Sequence, residues 1–196
     1  FNLAMESKDF LRRLSKIPHP GEIKPEITRS MIELNSSVHT DYNSLVSELH
    51  QMKNIVVKEA ARMHVGVCGG GAHLFQKWQE QRIFPMERFT STHEQYGYLA
   101  KRFTVFGQHI HIGCPNGDDA LYLCHDFAHY LPQFLALSAA SPFQQGIDTS
   151  FDCSRLTARS AFPLCGSPAW IFTVSDFEPY VCSLLYRVLV NISQDV

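Results

Sequence analysis

"EIKPEITRSMIELNSSV", residues 22–38, interleaves apolar and polar side chains at short spacing. An amphipathic helix would separate its apolar positions by three or four residues, so this stretch predicts strands. Helices are written on either side of it. Residues 5–17 read as a helix stopped by Pro18 and the turn signal "PHPG". Beyond it, Thr40 or Asp41 caps a helix whose apolar positions Leu45, Leu49, Met52, Val56, Ala60 and Met63 form one buried face. Helices and strands thus alternate along this part of the chain.

The remaining elements follow from the same rules. "VGVCGGG", residues 65–71, predicts a short strand running into a glycine loop, and Thr92 with Gln95 offers a capping box for a helix over 92–103. "VFGQHIHIGC", residues 105–114, reads as a strand. Asp118 then caps a long helix to about Ser138, bent where Pro132 lacks a backbone donor. Residues 141–170 read largely as loop, and a last helix spans about 176–193. With no repeat and no low-complexity linker, residues 1–196 are expected to form one domain.

Composition narrows the function. The net charge of −2 is carried by 18% charged residues, and Lys and Arg form no run or stripe, which argues against nucleic acid as a partner. The six cysteines lie far apart with no CxxC pair and no signal peptide, as expected for reduced thiols in the cytoplasm. Apolar stretches fall well short of the ~20 residues a membrane span needs, so no membrane association is expected.

Chemistry-bearing side chains stand in four places. On a strand, His109 and His111 point to one side while Gln108, Ile110 and Ile112 point to the other. They read either as a polar sheet face or as part of a metal site, although Cys114 falls on the wrong face to join them. Glu26 and Glu33 sit among apolar and small residues, where a carboxylate is costly without a cation, and oxygen donors of this kind suit Mg²⁺. The competing reading is a solvated Glu26 and a Glu33 paired with Arg29. Seven positions apart, the two acids would face opposite ways on one regular strand, so a bend or turn between them is required. Arg155 and Arg159 lie beside glycine, proline and serine, where a guanidinium can grip a carboxylate or phosphate bidentately. An ordinary solvated arginine is the better reading for Arg159. Gly69, Gly70 and Gly71 allow close backbone approach to a ligand, but they match neither the P-loop nor the dinucleotide fingerprint.

The succession "KPEITRSMIELNS", "CGGGAHLFQKW", "FGQHIHIGC", "LPQFLALSAASPFQQGIDT" and "SRLTARSAFPLCGSPAW" resembles the glutamate-cysteine ligase type 2 family, in its bacterial carboxylate-amine ligase branch. The similarity runs from about Gly21 to Trp170. It implies an α+β class with a glutamine synthetase-like fold, a curved antiparallel sheet holding ATP and Mg²⁺ on its concave face with helices packed on the other. It implies a reaction as well: ATP phosphorylates the side-chain carboxylate of glutamate, and the amine of cysteine, or another small amine, displaces phosphate to leave an amide.

Residue by residue, the resemblance implies that Glu26, Glu33 and His109 hold Mg²⁺. It sets His111 and Gly70 at the nucleotide and Arg155 at the carboxylate of the amino-acid substrate. Arg159 has no dependable counterpart. No protein nucleophile is needed, because phosphoryl transfer rests on positioning and charge neutralisation. The sequence departs from the family at residues 71–75, where "GAHLF" replaces the usual GTHPF. Family members also carry a preceding GxExE strand and further strands after this span. The chain, which opens on Phe1, is therefore expected to be a partial domain, incomplete at both ends and with exposed edges prone to homo-oligomeric association. The readings set against a ligase are a metal-dependent hydrolase using His109, His111 and a carboxylate, and a non-catalytic fragment serving as an interaction module.

Overall fold

A computed structural model of the chain describes residues 2–161 and 170–182. The chain divides into two compact units, one of Phe1–Phe106 with Ala140–Arg155, the other of Gly107–Ala139 with Leu156–Val196. Helices and short antiparallel strands alternate in an α+β arrangement.

The first unit is built on three elements that the sequence announces. Helix α1 (Ser7–Leu14) buries Phe10 and Leu14, and helix α2 (Tyr42–Arg62) buries Met52, Val56 and Ala60 on the predicted face. Asp41 is the N-cap of α2, its carboxylate accepting from the Ser44 backbone N–H at 2.9 Å. Hydrogen bonds from Ser44 hold the Asp41 carboxyl below its ordinary pKa. Between the helices, strands β1 (Glu22–Pro25) and β2 (Ile32–Asn35) pair antiparallel. Ile23, Ile32 and Leu34 pack from one face of this hairpin onto the core of Phe10, Leu14, Val56 and Ala60. Burying such side chains stabilises by roughly 1.5–3 kcal/mol each.

One charged group crosses that core. Glu59, 3% exposed, accepts from Arg62 Nη1 at 2.8 Å and from Arg13 Nε, tying α2 to α1. These bonds, Arg62 first and Arg13 next, hold the Glu59 carboxyl below its usual range. A buried carboxylate is tolerable here because two guanidinium groups face it.

Elsewhere the structure corrects several expectations. Residues 65–71 form no strand, and only Ala72 makes an isolated bridge, to Val105. The helix expected at 92–103 begins earlier, as α3 (Glu87–Tyr96), and is cut at Gly97 from a short α4 (Tyr98–Arg102). Thr92 is not its cap. Its hydroxyl donates back to the Arg88 carbonyl at 2.7 Å, the habit of a mid-helix threonine. Ile27, Phe84, Phe89 and Ala100 form the second core cluster, to which Phe103 and Ile83 add. The stretch read as loop contains a β3–β4 hairpin (Phe143–Gln144 with Ile147–Asp148) and a short helix α7 (Arg155–Ser160).

In the second unit, α5 (Gly117–Ala128) is capped by Asn116 rather than Asp118, the Asn116 side chain accepting from Asp119 N at 2.9 Å. Asp118 instead accepts from the Val174 backbone N–H at 2.8 Å. Pro132 does not bend one long helix. It starts a new one, α6 (Leu131–Ser138), as proline at a first turn can. Residues 174–182 are helical, and the remainder of the helix expected to 193 lies outside the described residues.

Candidate functional site

Register explains how two acids at an awkward spacing come together. Lys24 lies opposite Glu33, and Pro25 opposite Ile32. Glu26 follows β1 with the parity of Lys24, so it falls on the face that carries Glu33, opposite the core face. The required turn is the one between the two strands. Both glutamates are half-buried and line one open groove of about 290 Å³. Glu26 Oε2 accepts from the Ile27 backbone N–H at 2.8 Å. With its nitrogen toward Glu33, the Asn35 amide donates to Glu33 Oε1 at 2.8 Å and accepts from Lys24 Nζ at 3.2 Å. The alternative pairing of Glu33 with Arg29 does not form among the described residues, and Arg29 Nε is buried without a hydrogen-bond partner.

The same groove is lined by two residues that the sequence reading did not assign to a site, Arg88 and Thr92. Ile27, Phe89 and Phe103 supply its apolar walls. The Arg88 guanidinium carbon lies 4.3 Å from the centroid of the Phe89 ring. Placing the start of α3 at residue 87 would have found this pair, because positions 88 and 92 then share one helical face.

A second cluster of the same unit gathers around Phe106. Its backbone N–H donates to the Gly71 carbonyl at 2.9 Å, and its carbonyl accepts from Arg155 Nη1 at 2.6 Å. Gly71 is buried against the chain at Ala140, where a Cβ would fall 2.6 Å from the Ala140 carbonyl oxygen, so no larger residue fits. Gly70 beside it has φ +139° and open space around it. Arg155 is not in a loop. It opens α7, with its backbone N–H on Ser141 Oγ at 3.1 Å. Its guanidinium thus holds backbone as well as being the candidate for a substrate carboxylate. Arg159 also lies in α7, and its side chain is outside the described structure.

His109 and His111 belong to the second unit. Contrary to expectation, residues 106–114 form no strand, and both imidazoles are exposed together with Ile110 and Ile112. A strand exists only through a partner's hydrogen bonds, and beyond the Phe106 bond to Gly71 no described segment pairs with residues 107–114. The two rings nonetheless lie side by side, centroids 6.3 Å apart at 72°. Among the described residues no three His, Cys, Asp or Glu side chains gather as a metal site. Glu26 and Glu33 supply hard oxygen donors to a common groove, a donor set that fits part of a Mg²⁺ shell.

Comparison with known proteins identifies the family. The family model described as "Glutamate-cysteine ligase family 2(GCS2)" matches residues 1–187. The chain belongs to this family. Among its glutamate-cysteine ligase family 2 relatives is a Nitrosospira multiformis protein named "Putative glutamate--cysteine ligase 2", 48% identical over 195 residues, covering 100% of this chain and 53% of the relative. Proteins of the same name occur in Chromobacterium violaceum, 51% identical over 180 residues (92% of this chain, 48% of the relative), and in Herminiimonas arsenicoxydans, 48% identical over 195 (100% and 53%). The chain spans about half the length of the curated relatives it matches. Among the described residues, no helix is long and apolar enough to cross a membrane, and Cys68, Cys114, Cys124, Cys153 and Cys182 are free thiols.

Proposed function

We propose that the whole protein is an ATP-dependent carboxylate-amine ligase that joins the side-chain carboxylate of glutamate to cysteine or another small amine. The observation that carries this reading, beside family membership, is the pair Glu26 and Glu33 lining one groove from one hairpin face. In the reaction the γ-phosphoryl group of ATP passes to the glutamate carboxylate, giving an acyl phosphate and ADP. The amine then attacks the acyl carbon, phosphate leaves, and the amine's proton is lost to solvent.

Residue roles follow the chemistry. Glu26 and Glu33 hold Mg²⁺, with His109 as a third donor. When bound, the metal neutralises the phosphate charge that builds up during transfer. His111 and Gly70 serve the nucleotide, and Arg155 receives the amino acid's carboxylate while keeping one N–H on the Phe106 carbonyl. The β1–β2 hairpin becomes part of a glutamine synthetase-like curved sheet whose concave face carries the acids. We assign the protein to the cytoplasm, where ATP is available and free thiols stay reduced.

The test is ADP release by the whole protein. Release should require both glutamate and an amine, and Glu33→Gln should lower kcat/KM by on the order of a hundredfold or more through lost charge stabilisation. Hydrolytic turnover without ATP would overturn the ligase reading in favour of a metal-dependent hydrolase. Full activity of Glu33→Gln would remove the acid from the site.

A further inference from the structure

We infer that Arg88 is a substrate-binding residue, whose guanidinium receives a carboxylate or phosphate oxygen of a ligand lying in the groove that it lines together with Glu26 and Glu33. The inference rests on the ligase reading and adds to it a residue outside the sequence motifs.

Three observations carry it. First, Arg88 lines the same groove as the two glutamates, yet among the described residues its guanidinium forms no ion pair and no hydrogen bond. A groove holding two negative charges and one positive charge, kept out of contact, leaves room for a ligand that meets both signs. The glutamates take a cation or an ammonium group, and the guanidinium takes an oxyanion, for which its planar fork of donors is shaped.

Second, the guanidinium has a fixed platform. It lies over the ring of Phe89, which is 8% exposed and meets Phe84 edge-on at 6.5 Å and 83°. A ring locked in the core directs the arginine stem without consuming its N–H donors. Third, Thr92 stands one helical turn away on the same wall. Its hydroxyl proton goes to the Arg88 carbonyl, so its oxygen lone pairs remain acceptors toward the groove. The wall therefore offers a charged donor, a neutral acceptor and an apolar floor of Phe89 and Phe103, the composition of a small-molecule site.

The shared ligand chemistry is an oxyanion, and its source is glutamate, the amine-bearing amino acid or the nucleotide. Calorimetric titration of the whole wild-type protein, Arg88→Met and Arg88→Lys with glutamate, cysteine and a non-hydrolysable ATP analogue separates the sources. In Arg88→Met, one of the three should weaken by on the order of tenfold or more while the others stay within about twofold, as for loss of a charge-assisted bond. Arg88→Lys should recover part of that loss. A thermal midpoint near the wild-type value confirms that the Phe89 platform stands, and if Arg88→Met fails to fold, Arg88→Gln takes its place. Equal weakening of all three ligands, or none, overturns the inference while leaving the ligase reading intact. Binding of no ligand by the wild-type protein sinks both.

Discussion

Alternation in the sequence predicts strands both for the β1–β2 hairpin and for the segment 105–114, and only the hairpin forms them. The hairpin contains its own partner: four residue pairs lie within 14 residues of chain, and one face is covered by α1 and α2. Residues 107–114 have the same extended propensity, but no described segment supplies opposing backbone donors and acceptors. Alternation of side chains tells which residues would share a face. It does not tell whether the sheet that defines the face is present. For Glu26 and Glu33 the sheet is local, so their meeting follows from the turn. For His109 and His111 no sheet forms among the described residues, so their alternation defines no face.

The strongest way to break this contrast is at Gly21, where the chain enters β1. Its φ is +60°, and a Cβ there would lie 2.3 Å from the Asn35 carbonyl oxygen and 3.0 Å from both Glu48 Oε1 and Met52 Sδ. Gly21→Ala should destabilise the first unit by on the order of 3 kcal/mol, read as a lower denaturant midpoint. An unchanged midpoint would mean that the close seating of β1 on α2 is not what holds the hairpin.

A smaller effect concerns the charge that pins α1 to α2 beneath the hairpin. The folded-state pKa of Glu59 is depressed by Arg62 and Arg13, so its contribution is present above the unfolded-state value. It is lost as pH falls through the depressed one. Wild type should therefore exceed Glu59→Gln in stability at neutral pH, with the difference shrinking as pH drops below the ordinary carboxylate range. A difference independent of pH would show that packing, and not charge, accounts for it.

The smallest stability effect belongs to the other member of the comparison. His109→Ala and His111→Ala remove exposed rings, and each should shift stability by less than about 0.5 kcal/mol. A larger loss in the whole protein than in residues 1–196 would sharpen the contrast. It would show that these side chains have a structural setting beyond the exposure they have here.

What could be read in advance follows the range of the interactions involved. The apolar stripe of α2, its Asp41 cap and the strand alternation before it are encoded within a few residues, and they appear where expected. Caps were misplaced where several polar residues competed. Asn116 precedes Asp118 and takes the role, freeing Asp118 for the Val174 amide. The start of α3 was missed because Met86, its N-cap, makes no side-chain bond. That error concealed Arg88. Glu26 and Glu33 were legible as a pair only once a turn was allowed between them, whereas the engagement of Arg155 with the Phe106 carbonyl joins positions 49 residues apart and leaves no local mark.

That last contact gives the molecule a built-in reporter. The Phe106 amide proton is held by Gly71, while the carbonyl of the same residue is held by Arg155, so one peptide position is fixed from segments far apart in the chain. Each bond closes its own long loop, which places both among the costlier contacts to assemble. In deuterium, exchange at this single amide should track the opening that separates Phe106 from Gly71, and fraying of the neighbouring exposed residues 107–114 should not reach it. Slow exchange at Phe106 beside fast exchange at Gln108 would therefore mark, within three residues, the edge of a cooperatively folding unit.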